Sequence, residues 1–416
     1  MQLKTILNRV EPFKSFVYGK VSWEETSPQP SLEIELCARK NGRPICSGCG
    51  QPGPAYDRLS PRRFQFVPLW GMAVFFVYAM RRVDCPACGV KVERVPWASG
   101  KSRLTNSFRW FLARWAKRLS WKEVADVFRT TWRNVFESVK HAVYWGVVHQ
   151  EIGSIEAIGV DEIQWQRGQQ YLTLVYQIDD GLKRLLWVAR ERTEKSLRRF
   201  FFTLDAATRG SIRFVCSDMW QPYLKVIRQE AGHAVHILDR FHIMAKMNEA
   251  IDDVRREESR QLEADGYEPV LKHSRWCLLK RPENLTPRQT VKLRELLQYN
   301  LRSVRSRLMR EDFQRFWEYS SPTWAGKFLD EWCRRTMRSQ IEPMKRVARS
   351  LRDHRDLILN WFRARGRISA GTVEGLNNKA KLTTRKAYGF RIYETIEIAL
   401  YHTLGALPEP EFTHRF

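Results

Sequence analysis

Between residues 155 and 239 the hydrophobic pattern changes period several times, and the order of those changes limits the fold of this chain more than any other feature. Ile155-Glu-Ala-Ile-Gly-Val160-Asp161 is a short, mostly apolar run that reads as a strand ending in a carboxylate. Arg167-Gly168 turns the chain into Tyr171-Leu-Thr-Leu-Val-Tyr-Gln-Ile178, and Asp180-Gly181 turns it again into Leu185-Leu-Trp-Val-Ala189. Residues 194–204 carry a helical period. Ile212-Arg-Phe-Val-Cys-Ser-Asp218 is a fourth strand and also ends in a carboxylate. Residues 223–230 suit a second helix, and Ala234-Val-His-Ile-Leu238-Asp239 a fifth strand.

The order β-β-β-α-β-α-β is the wiring of an RNase H-like α/β domain, in which the first and fourth strands are neighbours. Asp161 and Asp218 then sit together although distant in sequence. Two aspartates in contact repel one another, and one pKa is driven up. A divalent cation removes that cost, and oxygen ligands without histidine or cysteine suit Mg²⁺ or Mn²⁺. Two such ions are the usual apparatus of phosphodiester cleavage. The candidate third carboxylate is Glu374, in Ser369-Ala-Gly-Thr-Val-Glu374-Gly-Leu-Asn-Asn-Lys379-Ala-Lys381, which reads as a helix continuing to Arg385 and Lys386. An acid followed by a basic helix suits a site laid along a phosphate backbone. Taken singly, each acid has a plainer reading: a strand-end aspartate as a turn former or helix cap, Glu374 as a solvated helix residue. The set, in matching slots, is what points to catalysis.

Upstream, Cys46-Ser-Gly-Cys49 and Cys85-Pro-Ala-Cys88 form two knuckle-like pairs. Together they predict a structural Zn²⁺ site, because four thiolates leave no open position for chemistry. The alternative is four unrelated thiols or a redox pair. The strand-like runs Arg63-Phe-Gln-Phe-Val and Ala73-Val-Phe-Phe-Val-Tyr lie between the pairs, so residues 1–100 read as a zinc ribbon-like module. Residues 101–150 turn helical. One helix spans 107–119, the capping box Ser120-Trp-Lys-Glu123 starts a second, and Thr130 or Thr131 caps a third along Val135, Phe136, Val139 and Val143. Two short capped helices, the second with Arg133, Asn134 and Lys140, read as a DNA-contacting helix-turn-helix or, more blandly, as a three-helix core with a basic face.

Composition names the partner class. Of 416 residues, 71 are Lys or Arg and 46 Asp or Glu, a formal charge of +25, which nucleic acid neutralises most directly; a lipid surface is the second reading. The longest apolar run, 66–80, contains Pro68 and Gly71 and is shorter than the ~20 residues of a spanning helix. The first ten residues lack a signal-type apolar core, so a protein that stays in the cytosol is expected. Gly100-Lys-Ser102 resembles a phosphate loop only superficially, since Val95 stands where the first glycine belongs. Between Asp218 and Glu374 the stretch 248–365 is helical and basic, and reads as an all-helical insertion. Its aromatics (Phe313, Phe316, Trp317, Trp324, Trp332, Trp361) are expected mostly to fill a core, with stacking on an extruded base as the other use.

Four segments carry a family resemblance: Ile158-Gly-Val-Asp161-Glu162, Cys216-Ser-Asp218-Met-Trp-Gln-Pro-Tyr223, Leu238-Asp239-Arg-Phe-His242, and Glu374-Gly-Leu-Asn377-Asn-Lys379-Ala-Lys381 with Arg385-Lys-Ala-Tyr-Gly389-Phe. They closely resemble bacterial DDE transposases of the ISL-three insertion-sequence family, over nearly the whole chain. The resemblance implies that Asp161, Asp218 and Glu374 are the metal-binding triad and that His242, in a D-x-x-H element, stands beside it. Glu162 and Asp239 are further acids near the cluster. The basic helix read after Glu374 makes Lys379, Lys381, Arg385 and Lys386 the expected contacts to DNA there. The expected organisation is a zinc module (1–100), a helix-turn-helix (101–150), an RNase H-like domain split into 151–247 and 366–416, and the helical insertion (248–365). The expected activity is binding of terminal inverted repeats, metal-dependent cleavage with two Mg²⁺ or Mn²⁺ ions, and strand transfer into target DNA by at least a dimer. The rival readings are an RNase H-like nuclease, a transcription regulator with an inert C-terminal domain, and an RNA-binding module.

Overall fold

The computed structural model describes residues 2–25, 30–364, 370–386 and 390–411. The chain divides into two units, one of residues 1–151 with 383–416 and one of residues 152–382.

The first unit begins with α1 (Leu3–Val10), β1 (Phe16–Glu24), β2 (Ser31–Ala38), β3 (Ala55–Arg58), β4 (Arg62–Leu69), β5 (Met72–Tyr78), β6 (Arg81–Cys85) and β7 (Gly89–Val92). Two sheets result, ordered β1-β2-β5-β4 and β3-β6-β7. The runs at β4 and β5, read from sequence as ribbon strands, belong instead to the larger sheet. The reason is area. Phe64, Phe66, Val74, Phe76 and Tyr78 alternate onto one buried face, which packs with Phe16, Ile34 and the fully buried Trp97. The cysteine-bearing sheet has only Cys46, Val83 and Cys85 as its own buried cluster and cannot cover such a face. A buried ion pair joins the two sheets: Glu93 accepts from Arg81 Nε (3.0 Å) and from the Tyr78 hydroxyl (2.7 Å).

Helices α2 (Asn106–Ala116), α3 (Trp121–Val127) and α4 (Trp132–Val148) follow. Thr105, Ser120 and Thr131 each accept from a backbone N–H of the first turn, and Ser120 with Glu123 completes a capping box. Their apolar stripes meet at Phe108, Leu112, Val124, Val135 and Val139.

The second unit is built on β8 (Ala157–Gln166), β9 (Gln170–Ile178), β10 (Lys183–Arg190), α5 (Glu194–Thr203), α6 (Ala206–Ser211), β11 (Phe214–Ser217), α7 (Gln221–Glu230) and β12 (Val235–Leu238). The sheet order is β10-β9-β8-β11-β12. The first three strands are antiparallel, whereas β8, β11 and β12 run parallel. One sheet face packs against α5 and α7 through Val160, Phe200, Phe201, Tyr223 and Ile227.

From β12 the chain enters α8 (Arg240–Ala264), α9 (Arg275–Leu279), α10 (Pro287–Leu296), α11 (Arg302–Gln314), α12 (Pro322–Met337), α13 (Glu342–Asp353) and α14 (Arg355–Arg363). These helices share one core, in which Phe313, Phe316, Trp317 and Trp332 are buried; Trp361 is half-buried, and Trp324 is exposed. The Asn360 amide of α14 donates to the His236 carbonyl of β12 (2.7 Å), which returns the insertion to the sheet.

Helix α15 (Ala370–Lys386) follows, and its residues up to Leu382 belong to this unit. The last helix, α16 (Tyr393–Leu404), lies in the first unit, where Ile398 joins the core of α2 and α4, Lys140 pairs with Glu394, and Arg114 pairs with Glu409 (2.7 Å). The sequence reading assigned this tail to the catalytic domain. An apolar stripe such as Ile396, Ile398 and Leu400 fits either core, so the pattern alone does not choose between them.

Candidate active site

Strand register brings the acids together. Gly159 of β8 pairs with Cys216 of β11, so Asp161 and Asp218, each two residues further along parallel chains, stand level. Ser217 pairs with Leu238 of β12, which puts Asp239 level with Asp218. All three aspartates are nearly buried. Neighbouring strands are about 4.8 Å apart, so three carboxylates share one short row.

Each carboxylate is held by the protein. Asp161 Oδ2 accepts from Asn377 Nδ2 of α15, and the buried Tyr176 hydroxyl fixes that amide by donating to Asn377 Oδ1 (2.8 Å). His242, in the first turn of α8, brings Nε2 to 3.7 Å from Asp161 and 3.9 Å from Asp239. Asp239 caps the same helix by accepting from the Phe241 N–H (2.7 Å). Asp218 accepts from the Trp220 N–H (3.0 Å) and from Arg192 (2.7 Å), and Arg192 also reaches Glu162 (3.1 Å).

The crowding shows in the proton affinities. Burial pushes Glu162 up to about 7, with the charges of Asp218 and Asp161 adding to it. Burial also raises Asp239 to about 6, helped by Asp161 and Glu374 and opposed by His242. Pairing with Asp161, reinforced by the charges of Asp239 and Asp218, lifts His242 to about 9. At neutral pH His242 is therefore a cation inside an acidic cluster.

Glu374 lies on the exposed side of α15, one turn before Asn377, and close enough for its charge to act on Asp239. Its helix approaches β8 closely because residue 159 is glycine. A Cβ there would lie within 3.0 Å of Val373 Cγ2, nearer than side chains approach. Asp161, Asp218 and Glu374 do not form a knot as tight as that of the cysteines: among the described residues, the cysteine quartet is the one group whose ligand atoms all fall within 4.8 Å.

That quartet is Cys46, Cys49, Cys85 and Cys88. Gly50, at φ +73°, bends the first knuckle, and Gly89, at φ +67°, the second. Hydrogen bonds from the Cys49 and Gly48 backbone draw the Cys46 thiol down to about 7, and thiol contacts, first with Cys49, push Cys88 up to about 12. The cluster could hold zinc, since the four sulfurs converge to within 4.8 Å of one another.

Of the basic residues singled out from sequence, Arg133 is exposed at the start of α4, while Asn134 donates to Thr130 (2.9 Å) and Lys140 is engaged by Glu394. Lys379, Lys381 and Arg385 are exposed on α15; the Lys386 side chain lies outside the described residues. Sequence reasoning did not single out Arg192, Tyr176 or Asn377. The one available signal was Asn377 beside Glu374 in an otherwise apolar stripe.

A family model described as a transposase matches residues 158–400. The chain is 30% identical over 382 residues to the "Transposase for insertion sequence element IS1001" of Bordetella parapertussis, covering 91% of this chain and 93% of that protein. It is also 30% identical over 390 residues to the "Transposase for insertion sequence element IS1557" of Mycobacterium tuberculosis (strain CDC 1551 / Oshkosh), with 87% and 86% covered. These matches define a DNA-cleaving and DNA-transferring enzyme whose partner is DNA and whose kind uses divalent metal. The chain belongs to the ISL3-type (ISL-three) family of DDE transposases, which serve insertion sequences. No described helix is long and apolar enough to cross a membrane.

Proposed function

We propose that this transposase binds the terminal inverted repeats of its element through the first unit and cuts and joins DNA at the acidic row of the second. In this reading the sheet of β8 to β12 is an RNase H-like platform, the α3–α4 pair is a helix-turn-helix, and the cysteine quartet carries structural zinc. Asp161, Asp218 and Glu374 are the ligands for two Mg²⁺ or Mn²⁺ ions.

The donor set fits such ions. It is made of carboxylate oxygens, and the Glu162 Oε2 atom beside it is buried with no hydrogen-bond partner among the described residues. Bound divalent ions would supply activation of the attacking oxygen and stabilisation of the leaving one. The chain's own residues do the rest. Asn377 and Tyr176 fix the rotamer of Asp161. His242 brings its ring Nε2 between the carboxylates of Asp161 and Asp239 (3.7 and 3.9 Å) and so holds their side chains in place. The exposed Lys379 and Lys381 of the same unit would hold the phosphate backbone beside Glu374. Hydrolysis at the element end frees a 3′-hydroxyl that attacks target DNA, with no covalent protein intermediate. Two ends must be paired, which calls for at least a dimer.

The observation that carries this reading is the parallel register of β8 and β11, which pairs Gly159 with Cys216, each two residues before an aspartate. The test uses labelled element ends with Mg²⁺. Asp161→Asn, Asp218→Asn and Glu374→Gln should each abolish cleavage and joining while the ends are still bound. Activity surviving all three changes would reject the triad, and cleavage without joining would favour a nuclease.

A further inference from the structure

Arg192 is an unexpected occupant of the acidic row. Its guanidinium joins Asp218 (2.7 Å) to Glu162 (3.1 Å), and it lies over the Trp220 ring with its carbon 4.4 Å from the centroid. The backbone is bent to present it. Glu191, the residue before, has φ +69°, a left-handed conformation that a glutamate adopts only under constraint. That constraint is visible: the Glu191 N–H donates to the Tyr171 carbonyl (2.9 Å), and the buried Thr173 hydroxyl donates to the Glu191 carbonyl (2.7 Å). Strain held in this way argues for a use.

The bridge is also incomplete. Arg192 Nε and Glu162 Oε2 are both buried, and neither has a hydrogen-bond partner among the described residues. An ion pair kept for stability alone would satisfy these atoms, since buried polar groups are nearly always bonded. The Arg192 side chain is 27% exposed, so it can leave Asp218 without unpacking the core.

We propose that Arg192 is the resident counter-ion of the acidic row: it holds Asp218 and Glu162 while no divalent ion is bound and withdraws from Asp218 as an ion takes its place. Arg192 is thus a positioning residue that sets how readily the site loads. The inference rests on the reading of Asp218 as a metal ligand.

The test follows thermal unfolding of the full chain during a Mn²⁺ titration, without DNA. The wild type should be stabilised by Mn²⁺ with a definite midpoint, and Asp218→Asn should lose the effect. Arg192→Gln should melt lower without metal yet reach its midpoint at roughly tenfold less Mn²⁺, because a charge opposing the ion has gone. Arg192→Lys, which keeps the charge but not the fork, should melt lower with a midpoint near that of the wild type. A merely structural arginine would lower melting in both variants and move neither midpoint, and that result overturns the proposal. If Arg192→Gln does not fold, Thr173→Val, which loosens the Glu191 backbone, should shift the midpoint the same way; no shift overturns the proposal equally. If Asp218→Asn responds like the wild type, the ligand assignment has failed and this inference falls with it.

Discussion

Gly159→Ala tests whether the docking of α15 on β8 governs catalysis. The added Cβ would lie within 3.0 Å of Val373 Cγ2, whereas carbon atoms rest at about 3.5–4.0 Å, so helix or strand must move by about 1 Å. Val373 directly precedes Glu374, and the same helix carries Asn377, the partner of Asp161. Misplacing a catalytic group by ~1 Å costs about 100-fold in rate, and overpacking of this kind costs about 1–3 kcal/mol in stability. Gly159→Ala should therefore cut and join element ends about 100-fold more slowly and melt lower. The structure also specifies a suppressor. Val373→Ala removes Cγ2 and leaves Val373 Cβ 3.6 Å from the new methyl, an ordinary contact. The double variant Gly159→Ala/Val373→Ala should regain activity to within about tenfold of wild type, although Val373→Ala alone forfeits roughly 1–2 kcal/mol of burial. The assay is cleavage and joining of labelled ends, with circular dichroism melts to separate rate from folding. A fully active Gly159→Ala, or a folded double variant as slow as the single, would refute the reasoning.

Three further outcomes are expected. The purified chain should contain one zinc per molecule by elemental analysis, and Cys85→Ser should lower both zinc content and melting temperature, because the small sheet has almost no other core; a zinc-free protein with unchanged Cys85→Ser stability would contradict this. Glu93→Gln should destabilise the first unit by about 3–5 kcal/mol in urea titrations, since it leaves the buried Arg81 guanidinium without its carboxylate, and a loss under about 1 kcal/mol would show that pair to be dispensable. Burial holds His402 of α16 down to about 3, against an ordinary value of 6.5, so the unfolded chain takes up the proton first. Its contribution is complete above pH 6.5 and falls as the pH drops toward 3, by about 1.4 kcal/mol per unit; acid melts should steepen there, and His402→Gln should flatten them.

Much of the fold was legible because it depends on local period. The run read as a strand at 171–178 is β9 at Gln170–Ile178, and the helix read at 194–204 is α5 at Glu194–Thr203. Element order alone implied that Asp161 and Asp218 would be neighbours, since a β-β-β-α-β-α-β path leaves few ways to pair the first and fourth strands. The cysteine pairs were legible from spacing, because a C-x-x-C turn already aims two sulfurs at one point. What escaped was decided by partners remote in sequence. Whether Phe64 to Val67 faced a metal knuckle or Trp97 depended on β1 and β2, which no sequence signal had marked. Whether Ile398 packed with the strands of the second unit or with α2 and α4 depended on apolar partners far upstream in the chain, which its own stripe does not specify.

The polar contacts of the site were the least legible, for a physical reason. Asn377 is 216 residues from Asp161, and Arg192 lies 26 residues from Asp218, at distances where no periodicity links them. Their types gave no warning either, because an asparagine in a helix and an arginine after a strand are ordinary at a surface. Only burial makes them informative. Inside a low-dielectric site, an amide or guanidinium must spend its donors on particular acceptors, so its placement reveals where negative charge gathers. Here those donors converge on the carboxylates of two neighbouring strands, Asp161 and Glu162 on β8 and Asp218 at the end of β11, and Glu162, with an oxygen unpaired among the described residues and a proton affinity near neutrality, marks where the protein's own cations run out. A site in that condition has one inexpensive remedy, an external cation, and DNA phosphates that arrive beside the acids add to the same demand.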